Sequence, residues 1–195
     1  MPTFTQGFWC AAVLLTAFLH VLIARGAPPS AGSGPGPSAE APNPSAAGGG
    51  YVLGPDEGEV LYRANGKVVV KVDPRRGSPT MGLGTQDLVA GAGIPMHRHE
   101  VADEVLLFEQ GHAHAVLDGK VVDVGPGSTL YVPHGTWHAV QNTGDPVHLV
   151  WVVTPPSLVN FFRAVGSSPG EPVKKLTFSE MQEIGRQHGT TFRPP

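Results

Sequence analysis

Apolar positions fall into three textures along the chain. Residues 7–24 are almost unbroken apolar, from Phe8 and Trp9 through a run of Ala, Val, Leu and Ile. Residues 26–50 are nearly all Ala, Gly, Pro and Ser, with only Glu40 and Asn43 as exceptions. From Tyr51 onward, short β-branched runs alternate with Gly, Pro and Asp, the pattern of half-buried strands between turns. The alternation predicts strands over 59–63, 67–72, 85–90, 104–110, 113–117, 120–124, 129–132, 138–141 and 148–153. Asn65-Gly66 and Asp118-Gly119 supply the positive φ of two-residue hairpins, and Gly125-Pro126-Gly127 and Pro133-His134-Gly135 mark further turns. So many short strands at this spacing predict an all-β, antiparallel sandwich or barrel. After Pro155-Pro156 the period changes. Leu158, Phe161, Phe162 and Val165 recur at helical spacing and predict a helix over 157–165. A second helix is expected over 178–188, with Thr177 as its N-cap, Glu180 as the reciprocal partner and Gly189 at its end.

The first texture reads as an export leader over 1–26, ending in the small-x-small Ala24-Arg25-Gly26. Its front carries no Lys or Arg, and at roughly 18 residues the run is long enough to span a bilayer. A cleaved signal peptide is the favoured expectation and an uncleaved anchor the alternative. The protein is then secreted or periplasmic, or held at a membrane by that segment alone. Residues 27–50 offer no large side chain whose burial would offset ordering entropy and read as a flexible, disordered linker. The folded domain is expected over 51–195, with its barrel at about 67–154 and a helical extension over 155–195.

Composition adds exclusions. The formal net charge is only −3 and no basic run is present, which argues against nucleic-acid binding. The one cysteine, Cys10, lies in the leader, so the domain carries no disulfide.

The candidate chemistry sits between Gly91 and Asn142. His97 and His99 are two apart, which on a strand puts both imidazoles on one face. Glu104 follows after a stretch long enough for a turn and a returning strand, and His138 opens a later strand. Three imidazoles and a carboxylate suit one borderline divalent metal with positions left open. Fe, Mn, Ni or Cu all fit this set, and Zn as well. Leu106 and Phe108 share parity with Glu104 and are expected to form an apolar wall, favouring an aromatic or apolar substrate over a charged one. Ala113, Ala115 and Leu117 are expected inward, leaving space beside the metal, with His112 and His114 outward. His134 is expected exposed in its turn, Trp137 and Trp151 are expected in packing roles, and the face of His148 stays open.

These residues carry a family resemblance. Gly91, five residues, His97-Arg98-His99, four residues, Glu104, six residues and Gly111 form one motif. Gly127, five residues, Pro133-His134-Gly135, two residues, His138, three residues and Asn142 form the other. Together they resemble the two motifs of the cupin family, in its small single-domain form. The resemblance implies a jelly-roll β-barrel, here followed by two short helices, with His97, His99, Glu104 and His138 holding the metal. It implies a homodimer formed through barrel edges. Among cupins the chain is similar to quercetin-dioxygenase-like members, in which Glu104 would also accept a proton from a substrate hydroxyl. A non-catalytic binding protein for a small ligand, as in the auxin-binding cupins, is the alternative, and a sugar isomerase a weaker one.

Overall fold

The computed structural model describes residues 49–194. The expected leader and all but the end of the expected linker lie outside the described residues. Among the described residues no helix is long and apolar enough to cross a membrane.

The chain runs β1 (Glu59–Arg63), β2 (Gly66–Val72), β3 (Gly82–Leu88), β4 (Gly93–His99), β5 (Asp103–Gln110), β6 (Ala113–Leu117), β7 (Lys120–Val124), β8 (Thr129–Val132), β9 (His138–Asn142), β10 (Val147–Thr154), α1 (Ser157–Val165), α2 (Phe178–Gln187) and β11 (Thr190–Phe192). The strands form two antiparallel sheets, ordered β1-β2-β3-β10-β5-β8 and β11-β4-β9-β6-β7. This is the jelly-roll arrangement expected from the sequence, two sheets enclosing one core.

Strict alternation of buried and part-exposed residues in β3 and β10 places Leu88, Leu149, Trp151 and Val153 inside. Gly84 pairs with Trp151 across β3 and β10. A Cβ at Gly84 would stand 2.5 Å from the indole and 2.0 Å from the Val69 carbonyl. Only glycine admits the indole there. At the β6–β7 turn, Asp118 and Gly119 both have positive φ, 48° and 79°, as a two-residue primed turn requires.

Helix α1 buries Leu158, Val159, Phe161, Phe162 and Val165 against β1, β3 and β10. The Phe162 ring centroid lies 5.1 Å from that of Trp151. Arg163, on the opposite side of α1, takes Glu59 in a fork at 2.5–3.0 Å and also reaches the fully buried Asp73. The Thr177–Glu180 capping box starts α2 as expected, and α2 packs on α1 and β11.

Two strands went unforeseen. The apolar pattern of β4 is broken by Gly93 and Pro95, and its buried positions are the two histidines. β11 is three residues long and pairs with a strand 91 positions earlier, Thr190 with His99. No local signal marks such a pairing.

Candidate metal centre

The site is made by both sheets. In the five-stranded sheet, β4 and β9 set His97 directly opposite His138, and the two-residue strand period brings His99 to the same face as His97. In the six-stranded sheet, Glu104 near the start of β5 projects inward beside Leu106. All four side chains are buried, and one ligand atom from each lies within 4.8 Å of the others. Nε2 of His138 is 3.0 Å and Nε2 of His99 3.3 Å from Glu104 Oε2.

The other nitrogen of each imidazole is engaged elsewhere. Nδ1 of His97 lies 2.8 Å from the Pro95 carbonyl, and Nδ1 of His138 3.0 Å from the Thr136 carbonyl. A carbonyl only accepts, so both Nδ1 atoms carry the proton and both Nε2 atoms present lone pairs. His99 Nδ1 meets the Thr190 hydroxyl at 3.1 Å. Thus lone pairs of imidazole and carboxylate converge on one point with no proton of their own to share. That donor set fits a divalent cation, and the outer hydrogen bonds hold each ring in the ligating orientation. β11 adds Phe192, whose ring stacks on His97 at 5.4 Å.

Electrostatics follow the burial. His97 is held well below the usual imidazole value, first by burial and then by His138 and His99, against an opposing pull from Glu104. Burial pushes Glu104 up, but whenever His138 and His99 take a second proton, their hydrogen bonds and charge outweigh it and hold the carboxyl well below its usual range. The unfolded chain therefore takes up protons that the folded one refuses, below 6.5 at His97 and below 4.5 at Glu104. Both effects remove stability as pH falls. In the presence of a chelator, the urea midpoint is expected to drop progressively from pH 7 to pH 4. A midpoint flat over that range contradicts a buried His97 held neutral.

Beside the cluster lies a cavity of about 20 Å³, lined by His97, Glu104, Leu106, Phe161, Phe162, Phe192 and also Arg63 and Gln86. It has room for about one water. Of the expected apolar wall, Leu106 lines the cavity, while Phe108 is buried in the core and does not; the surround is mainly apolar, as expected, with Arg63 and Gln86 added to it. Arg63 reaches the cavity from β1, and burial alone pushes its guanidinium down to about 10. Their parity was the available signal: Arg63 shares its face of β1 with inward Leu61, and Gln86 its face of β3 with inward Leu88. The expected space near Ala113 and Ala115 is also corrected. Both are buried in the core, and the cavity opens on the α1 side instead.

His112, His114, His134 and His148 lie apart from the cluster. His112 and His114 are exposed, as expected, and His114 pairs with Asp123 at 2.6 Å. His134 is exposed in its turn and its ring and backbone N–H both meet Asp103 Oδ1 at 2.9 Å. His148 faces outward, between Asp87 at 2.5 Å and Glu109 at 3.4 Å. Trp151 is core, and Trp137 carries Arg98 and Arg193 on its ring at 5.1 and 4.2 Å.

Comparison with known proteins follows the same segment. Residues 84–153 match the family described as Cupin domain. An uncharacterized protein of Methanocaldococcus jannaschii is 27% identical over 85 residues, which is 40% of this chain and 68% of that protein. Gentisate 1,2-dioxygenase of Ralstonia sp. is 29% identical over 99 residues, 47% of this chain but 27% of the enzyme. The chain thus spans about a quarter of that dioxygenase. Among solved structures, KdgF from Halomonas sp. superposes with a TM-score of 0.49 at 18% identity, covering 55% of this chain and 94% of the other.

Proposed function

From the premise that this chain carries a small cupin domain, we propose that it is a metal-dependent dioxygenase acting on a small chelating substrate. One divalent ion would be held by His97, His99, Glu104 and His138. The observation that carries the reading is the convergence of four buried lone-pair donors with ring orientations set by outside partners. When bound, a redox-active ion there supplies Lewis acidity and oxygen chemistry. The chain's own part is orientation, exclusion of water and proton handling. Glu104 uses Oε2 for the two imidazoles, while Oε1 has no partner among the described residues and Glu104 lines the cavity. Oε1 is the atom to accept a proton from a substrate hydroxyl. Leu106, Phe161 and Phe162 would pack on the substrate's apolar body. The distant likeness to a gentisate dioxygenase supports the reaction class.

The same buried donor set also serves a second reading, a binding module that holds a ligand unchanged. Elemental analysis of the full chain, purified without chelator, separates the cases together with oxygen uptake. About one equivalent of Fe, Mn, Ni or Cu per chain is expected, with oxygen consumed in proportion to an added ortho-hydroxylated aromatic substrate. One equivalent of metal without oxygen uptake favours the binding module. No metal after reconstitution overturns the metal reading itself.

A further inference from the structure

We propose that Arg63 and Gln86 form an anion subsite beside the metal cluster, and that the ligand it takes carries a carboxylate. This deepens the proposed function by naming the substrate's charged end; the subsite itself consists only of protein groups.

Arg63 is the starting point. Its guanidinium lies 5.7 and 5.6 Å from the ring centroids of Phe161 and Phe162. Among the described residues no carboxylate or carbonyl accepts from it, and burial is the sole influence on its acidity. The contrast is Arg163, whose charge is met by both Glu59 and Asp73. A half-buried cation without a counter-charge is costly unless something supplies one.

Gln86 is the independent second observation. It is 4% exposed, and its amide has no hydrogen-bond partner among the described residues. No buried side-chain polar atom is sealed away unpartnered, so the amide spends its small exposure on the cavity it lines. Gln86 and Arg63 therefore offer unused donors to the same space as His97 and Glu104.

The approach is cationic too. Arg63 and Pro95 are also walls of an outer cleft of about 180 Å³, lined with Asn65, Lys174, Leu176 and Met181. No Asp or Glu lines that cleft, and Glu104 is the one acid lining the inner cavity. Lys174 Nζ donates to the Ala164 carbonyl at 2.9 Å and has no carboxylate partner among the described residues. Arg63 and Pro95 line both spaces, so the guanidinium stands where the outer cleft meets the inner cavity. An anion entering past Lys174 meets Arg63 next. The planar guanidinium fork matches the two oxygens of a carboxylate, and the Gln86 amide adds a third donor. Phe161, Phe162 and Phe192 around the cavity suit a planar group carried on an apolar body better than a tetrahedral phosphate. An aromatic or apolar carboxylic acid satisfies rings and cation together.

Calorimetric titration of the full chain tests this, with metal-loaded and chelator-treated protein in parallel. The probes are salicylate and pyruvate, their neutral amides salicylamide and pyruvamide, and inorganic phosphate. Each carboxylate is expected to bind at least about tenfold tighter than its amide, as one charge-assisted hydrogen-bonded pair implies. Arg63→Gln should erase that preference, leaving amide affinity and metal content unchanged. Gln86→Leu should weaken carboxylate binding severalfold, and it decides the matter if Arg63→Gln fails to fold by circular dichroism. Equal affinity for acid and amide overturns the proposal. So does phosphate binding as tightly as the carboxylates, or an equal loss of acid and amide in Arg63→Gln. An Arg63-dependent carboxylate preference in a chain that takes up no metal sustains the subsite while the metal reading falls. Metal uptake without that preference does the reverse.

Discussion

Replacing His97 and His138 together with alanine should abolish stoichiometric metal while the barrel stays folded. The two imidazoles face each other across β4 and β9, with ring centroids 4.0 Å apart. Their loss leaves His99 and Glu104 alone. Four-ligand structural zinc sites are worth roughly 10–16 kcal/mol, so each ligand contributes on the order of 3 kcal/mol, or about a hundredfold in affinity. Losing two weakens binding by about ten-thousandfold, enough to strip the ion during purification. The fold should survive because its four largest fully buried side chains, Trp151, Phe108, Leu88 and Leu149, are untouched, although His138 is itself fully buried. Local loosening is expected at β11, where Phe192 loses its stacking partner His97. Elemental analysis beside far-ultraviolet circular dichroism reads both halves of the result. A folded double variant that keeps a full equivalent of metal removes His97 and His138 from the ligand set.

Much of this arrangement is legible in the sequence. The strand runs, the Asp118-Gly119 turn, α1 and the Thr177 capping box all follow from local rules of parity, turn chemistry and capping, and each appears close to where those rules put it. The four clustered residues were legible for a different reason. His97 and His99 report their common face through spacing alone, while the union with Glu104 and His138 came through motif resemblance. What local pattern could not supply is what long-range pairing decides. β11 exists because Thr190–Phe192 finds the edge of β4, and only then does Thr190 orient His99. Arg63 and Gln86 were not singled out by the sequence, for a subtler reason. Parity pointed both inward, but a strand-end arginine is ordinarily solvated. Only the covering helix, with Phe161 and Phe162, makes Arg63 part of a chamber. His148 was ambiguous because its neighbours on β10 are apolar on both faces, and its acidic partners come from β3 and β5.

That dependence on α1 makes Arg163→Met the second large effect, a loss of about 3–5 kcal/mol of stability, the usual cost of removing one partner from a buried ion pair. Asp73 is fully buried and loses its cationic partner, while Glu59 loses a two-pronged contact. An exposed salt bridge would be worth less than about 1 kcal/mol, so the size of the effect reports how deeply the network is desolvated. Urea denaturation gives the number. Asp73→Asn in the Arg163→Met background should recover much of the loss, because the neutral amide no longer needs a counter-ion. It keeps an oxygen for the Arg76 backbone N–H, which Asp73 accepts at 3.2 Å. The consequence reaches the site, since Arg163 clamps the same helix whose Phe161 and Phe162 wall the cavity and flank Arg63. Arg163→Met should therefore also weaken ligand binding without changing metal content, because no metal-cluster residue lies on α1. A variant within about 1 kcal/mol of the parent would mean that α1 is held by its apolar face alone, and that the clamp has no part in shaping the chamber.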